Sequence, residues 1–194
     1  GDAIAVALLS RLSDLAPVCF VNGNHEMCVE RHQPERYQKF MDDLKNGGVQ
    51  VLHNETAYFW IDGEKVAVTG YELPWEYYRR FSRRHPSVVG MERSIGKRKQ
   101  DAYQILLTHN PVFFEEYTAW GADFTFAGHL HGGFIRLPYF GGVISPQFQL
   151  FPKYDHGLYQ MDTSSMVVGA GMGNHSGLFR INNPTEIVTV RIKR

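Results

Sequence analysis

The chain has 194 residues, 43% of them hydrophobic and 13% aromatic, which is enough for one domain with a sizeable core. Its 20 basic and 20 acidic residues cancel, so net charge gives no bias toward nucleic acid, and its 2 cysteines exclude a disulfide framework or a zinc knuckle. No stretch approaches the roughly 20 apolar residues that span a bilayer.

In chain order, Asp2 followed by Ala3, Ile4, Val6, Leu8, Leu9, Leu12 and Leu15 predicts an amphipathic helix capped by Asp2. Residues 18–21 read as a buried strand. Gly23 then breaks the apolar run and leads into Asn24, His25 and Glu26. Asn-Gly is a strong turn dipeptide, so alone this stretch could be an ordinary turn. Pro34 in a first turn and Gly47-Gly48 at the far end bracket a helix containing Tyr37, Phe40, Met41 and Leu44. Strands follow at 49–52, 57–61 and 66–69, with Asp62-Gly63 as a hairpin turn. Residues 73–84 are expected to be helical, and the basic stretch through Lys99 to be a mobile excursion. Strands at 103–107 and 123–127 flank a helix opened by Pro111. The Gly- and Pro-rich remainder reads as short strands ending at 186–192. Strand–helix alternation followed by a run of strands implies an α/β (α+β) fold of two packed sheets with helices outside, one domain over 1–194.

Charge is uneven along this order. Arg79, Arg80, Arg83, Arg84, Arg93, Lys97, Arg98 and Lys99 make up 8 of the 20 basic residues, with only Glu92 among them. Such a segment suits an anionic substrate or a membrane surface, and it equally suits a plain solvated face.

The 22–26 stretch gains meaning from two later ones. Leu106-Leu107-Thr108-His109-Asn110-Pro111 and Phe126-Ala127-Gly128-His129-Leu130-His131-Gly132-Gly133 repeat one design, an apolar strand with histidine at its exit. Open α/β folds place ligand sites at such exits. With 9 histidines in 194 residues, a chance His-x-His pair occurs in roughly a third of such sequences, so the glycine frame matters more. Gly128, Gly132 and Gly133 permit tight backbone turns, so histidines two apart can address two different ions.

Together these segments resemble the calcineurin-like metallophosphoesterase family, whose later blocks read Gly-Asn-His-Asp/Glu, a lone His, and Gly-His-x-His. The resemblance covers nearly the whole chain. It is closest to a bacterial branch of membrane-linked phosphohydrolases, whose Arg-Leu-Pro and Phe-Pro-Lys-Tyr segments match Arg136-Leu137-Pro138 and Phe151-Pro152-Lys153-Tyr154. It implies a β-sandwich flanked by helices, and two divalent cations about 3.5–4 Å apart that clamp a phosphate and activate water. Imidazole, carboxylate and amide ligands suit Mn, Fe or Zn rather than Ca. By this resemblance Asn24, His109 and His129 would bind one metal and His131 the other. His25 would stay off the metals, and either give a proton to the leaving oxygen or stabilise phosphoryl charge. Glu26 reads as an orienter of these groups rather than a ligand. A Gly-rich turn at 171–175 makes His175 a substrate-binding candidate, and His156 lies in the Phe-Pro-Lys-Tyr region. His32, His53 and His85 sit in polar loop contexts and are expected at the surface.

The family's opening blocks, Asp-x-His and Gly-Asp-x-x-Asp, find no match, since Gly1-Asp2 runs straight into a helix. The expectation is a C-terminal portion lacking the leading strand–helix–strand unit. Two functions follow. One is part of a metal-dependent phosphohydrolase acting on phosphodiester, phosphomonoester or pyrophosphate bonds, inactive or impaired by itself and carrying two metals in its intact parent. The other is a catalytically incomplete binding or scaffold module that keeps the fold. The branch implies a phosphate-ester substrate, lipid-linked ones included, a membrane surface in the full-length protein, and no nucleic-acid partner. The aromatic and basic residues at 75–81 suit an amphiphile with an anionic head. Protein phosphatase and nuclease readings stay open.

Overall fold

The structure, a computed structural model, describes residues 1–79, 84–133, 136–137, 141–143, 150–173 and 180–192. Helix α1 (Asp2–Ser13) leads to strand β1 (Cys19–Phe20). Asp2 does not cap α1. It is the first helical residue and makes no capping bond; instead it takes the guanidinium of Arg36 through both oxygens, at 2.7 and 2.9 Å. That hydrogen-bonded guanidinium holds the Asp2 carboxyl below the usual carboxylate range. Both groups are exposed, so the pair adds little to stability.

After β1 the motif opens helix α2 (Asn24–His32), where the sequence suggests only a turn. The Glu26 carboxylate accepts the Gly23 N–H at 2.9 Å, satisfying a backbone donor that a helix start leaves unpaired. Helix α3 (Pro34–Asn46) matches its bracketing Pro and Gly, and buries Tyr37, Met41 and Leu44. Strand β2 (Gln50–Val51) then pairs parallel with β1.

Strand β3 (Thr56–Ile61) and strand β4 (Glu64–Tyr71) form the expected hairpin. Its turn residues Asp62 and Gly63 sit at φ 50° and 81°, as a two-residue primed turn demands. The helix expected over 73–84 is absent from its described part, which holds one 3₁₀ turn at Trp75–Tyr78. Packing overrides propensity here: Leu73 and Tyr78 are buried, and Tyr77 meets the Phe113 ring edge-on at 5.6 Å. Nor is the basic stretch simply an excursion. Helix α4 (Val88–Ile95) starts where Ser87 Oγ accepts the Gly90 N–H at 3.0 Å, and it buries Met91 and Ile95 four residues apart. Arg98 donates to both oxygens of Asp123 at 2.9 and 3.0 Å, so part of the segment's charge is met by an acid distant in sequence.

Strand β5 (Tyr103–Thr108), helix α5 (Phe114–Trp120, entered through a 3₁₀ turn at Pro111–Phe113) and strand β6 (Phe124–Ala127) follow as the pattern predicts. The described remainder adds β7 (Arg136–Leu137) paired with β8 (Gly141–Gly142), then β9 (Gly157–Met161) paired with β10 (Ser164–Val168). Residues 186–192, expected to be a strand, belong to none.

Six strands make one sheet in the order β3-β4-β5-β6-β10-β9. The inner four run parallel, and the two edges are antiparallel. Alternation along β5 sorts its two faces. Leu106 packs with Met91, Ile95, Tyr117 and Trp120 of α4 and α5. Ile105 and Leu107 lie on the other face with Leu52 and Cys19 of the β1–β2 layer. Beyond that layer α1 and α3 cover Phe20 and Val51. The order helix, sheet, sheet, helix is the one expected, with the second sheet holding two strands among the described residues. No described helix is long and apolar enough to cross a membrane.

Candidate metal centre

Strands β5 and β6 are parallel neighbours with Leu107 opposite Phe126, so their carboxyl ends emerge together. Thr108 hands over to His109, and Ala127 to the 128–133 loop. Gly128 N–H donates to His109 O at 3.1 Å and carries the pairing one residue past the strands. Behind His109, Asn110 Oδ1 accepts the Val112 N–H (3.1 Å) and Asn110 O accepts the Tyr117 hydroxyl (2.7 Å). These bonds turn the chain into α5 and fix the strand exit.

The 128–133 loop is tightly wound. His129 and His131 sit at φ 61° and 50°, Gly132 and Gly133 at 69° and 82°. Left-handed backbone is uncommon outside glycine, although histidine adopts it more than most. Leu130, between the two histidines, is fully buried and anchors the loop.

Three of the predicted groups meet here. Asn24 Oδ1 lies 3.1 Å from His129 Nδ1, and the His109 and His129 rings are 5.0 Å apart at 65°. The backbone of Gly23 lies so close to His109 that a Cβ there would meet ring atoms at 2.9–3.0 Å. His131 is half-buried at the same loop, with Arg180 Nη2 at 3.4 Å from its Nδ1. His25 is exposed on the second residue of α2, near enough to influence His109 electrostatically. His175 lies outside the described residues. His156 pairs with Glu186 at 2.9 Å. His32 and His85 are exposed as expected.

His53 is a correction. It is half-buried, 2.9 Å from Glu72, within a network that sequence reading misses. Glu72 also accepts the Asn22 N–H (3.3 Å), and Asn22 Nδ2 donates to Tyr37 Oη (2.6 Å). Burial raises the Glu72 carboxyl, with His53 opposing. This network ties the exit of β4 to the residue two before Asn24. Tyr78 is a second omission: its ring is 5.1 Å from His129 and 6.2 Å from His109. The aromatic run 75–78 is its only trace in the sequence.

Does this donor set fit a metal? Bonds of about 2.0–2.2 Å to imidazole nitrogen or carboxylate oxygen place adjacent ligand atoms roughly 3 Å apart, which the Asn24–His129 separation matches. Burial above all, then His131 and His25, brings the His109 pKa down to about 4, although the residue is only half-buried by surface area. The ring therefore stays neutral, the form that ligates. Among the described residues no three His, Cys, Asp or Glu side chains form a ready metal cluster, so the amide of Asn24 is needed to complete a set.

The same neutral ring makes stability depend on pH. An unfolded chain protonates this ring near its ordinary value of 6.5, whereas the folded chain resists until about 4. Its contribution is whole above about 6.5 and fades as pH falls toward 4, because the unfolded state then binds the extra proton. Urea midpoints of the metal-free protein should drop across that window, and His109→Gln should flatten the drop.

Helix–sheet–sheet–helix layering, with imidazole and amide groups gathered where parallel strands end, is consistent with a metallophosphoesterase fold. The chain belongs to the calcineurin-like phosphoesterase family, whose sequence model matches residues 2–133. It is 30% identical to the uncharacterized metallophosphoesterase YkuE of Bacillus subtilis over 102 residues, 53% of this chain and 35% of that one. It is 24% identical to the phosphodiesterase YaeI of Escherichia coli over 185 residues, 95% of this chain and 62% of that one. It is 25% identical to the UDP-2,3-diacylglucosamine pyrophosphatase LpxG of Chlamydia trachomatis over 158 residues, 76% and 43% of the two chains. The chain thus spans between about a third and two thirds of these relatives. No solved structure gives a significant match.

Proposed function

We propose that residues 1–194 form a single calcineurin-like domain portion of a metal-dependent phosphohydrolase acting on phosphodiester, phosphomonoester or pyrophosphate bonds. The observation that carries this reading is the 3.1 Å approach of Asn24 Oδ1 to His129 Nδ1, with the His109 ring meeting that of His129 edge-on at 5.0 Å. In this reading Asn24, His109 and His129 hold one divalent ion, Mn, Fe or Zn, and His131 contributes to a second in the full-length polypeptide. Such ions polarise phosphoryl oxygens and lower the pKa of the attacking water. The chain's own part is to hold these groups rigidly. Tyr78 closes over the two imidazoles, and the Glu72–Asn22 network fixes the approach to Asn24. His25, exposed at the rim, supplies a proton to the leaving oxygen. Names among the relatives favour phosphodiester or pyrophosphate substrates, including lipid-linked ones, and the basic segment suits a membrane surface bearing them.

The test is metal stoichiometry. The 194-residue chain should bind one transition metal tightly, lost together in Asn24→Ala, His109→Ala and His129→Ala, as elemental analysis would report. Two stoichiometric metals would reveal further ligands and return Asp2 to consideration. None at all would favour the catalytically incomplete scaffold. Partitioning onto acidic vesicles that is unchanged when Arg79, Arg80, Arg83 and Arg84 are reversed to Glu would remove the membrane-surface role of the basic segment alone.

A further inference from the structure

The His-x-His loop holds a conformation that its residues do not prefer. Two non-glycine residues at positive φ, His129 and His131, persist in a loop only when its surroundings over-determine them. Within the loop, Leu130 N–H donates to Gly128 O and Gly133 N–H to Leu130 O, both at 2.7 Å. These bonds set a turn but leave the far carbonyls unanchored.

The anchor comes from a distant segment. Asn183 Nδ2 donates to His131 O at 2.5 Å and to Gly133 O at 2.7 Å. Asn183 is only 4% exposed. It stands directly over Gly132, where a Cβ would come within 2.8 Å of its Oδ1. Three residues earlier, Arg180 Nη2 donates to Ala170 O (2.8 Å) and Gly173 O, and lies against His131 Nδ1. Two carbonyls thus converge on one amide group, which has two N–H bonds to give. Aspartate has none and would turn a carboxylate oxygen onto carbonyl oxygens. Alanine would leave both carbonyls without this donor in a buried place.

We infer that Asn183 is a positioning residue of the proposed metal centre: its carboxamide holds the 129–133 loop in the shape that presents His129 and His131 to an ion. The inference rests on the phosphohydrolase reading, and the two fail differently. The experiment titrates the full-length polypeptide with Co(II), following the visible absorption of the bound ion, and separately melts the metal-free protein. In Asn183→Asp, Co(II) affinity should fall about 10–100-fold, the range typical when a group orienting a ligand is lost. The absorption bands should also shift in position or intensity. Asn183→Gln, which keeps both donors, should recover part of the affinity. A folded Asn183→Asp protein with wild-type affinity and spectrum overturns the inference. A wild-type protein that binds no Co(II) overturns the phosphohydrolase reading instead. Should Asn183→Asp not fold, the wild-type protein still decides by NMR. The Asn183 side-chain amide protons should exchange slowly and shift when Zn(II) is added, and fast-exchanging protons indifferent to zinc would overturn the inference.

Discussion

His25→Ala in the full-length protein should leave metal content intact and lower kcat by about 10²–10⁴-fold, the usual contribution of a general acid. His25 sits exposed on the second residue of α2, while Asn24 turns its amide to His129. Neighbours in sequence are therefore placed differently: the amide points to the cluster, and the imidazole lies exposed beside it. The loss should shrink for a nitrophenyl ester, whose leaving group needs no proton. His129→Ala should instead lower metal occupancy and activity together, because it removes a buried group from the cluster. Paired elemental analysis and rate measurements over substrates of graded leaving-group acidity separate the two. A His25→Ala enzyme that sheds metal, or is equally impaired on good and poor leaving groups, would show the role to be misassigned.

A single methyl group should do comparable damage from the opposite side. Gly23→Ala keeps an allowed backbone, since its φ is −100°, but the new Cβ would lie 2.9–3.0 Å from three His109 ring atoms. Either the ring tilts from its place beside His129, or the 22–24 backbone retreats and draws Asn24 away from His129. Overpacking of this kind typically costs about 1–3 kcal/mol. Metal affinity should fall with it, by roughly 10–100-fold for a displaced ligand environment. Gly1→Ala, whose Cβ would meet nothing within 4 Å, is the matched control. Equal melting temperatures and equal metal affinity for the two variants would contradict the close approach.

The parts legible in sequence are those where local chemistry and tertiary structure agree. Pro34 and Gly47 bracket α3 because each is suited to one end of a helix. Asp62-Gly63 makes its hairpin because that turn needs two positive φ angles. Apolar strands ending in histidine announced the cluster because strand direction alone decides where their exits lie. The illegible parts depend on partners far along the chain. Glu26 reads as an acid beside a possible ligand, yet its carboxylate starts α2 by bonding Gly23 N–H. The Met91–Ile95 face of α4 hides among arginines and lysines. His53 has a polar sequence context, and only the fold brings Glu72 to it across 19 positions. Asn183 lies 52 positions from the carbonyl of His131 that it holds, and nothing local marks it.

The side-by-side exits of β5 and β6 have a further consequence. Adjacent strands in any sheet lie about 4.8 Å apart, a spacing set by backbone hydrogen bonds and indifferent to side chains. His109 and His129, leaving neighbouring strands, have ring centres 5.0 Å apart. The sheet therefore works as a ruler for the two backbones from which these imidazoles project. Sequence drift in the surrounding loops can alter charge and access without moving the spacing of those backbones. A register slip between β5 and β6 would move the two exits themselves, whereas the gap between the rings also depends on the wound 128–133 loop and on what packs against His109.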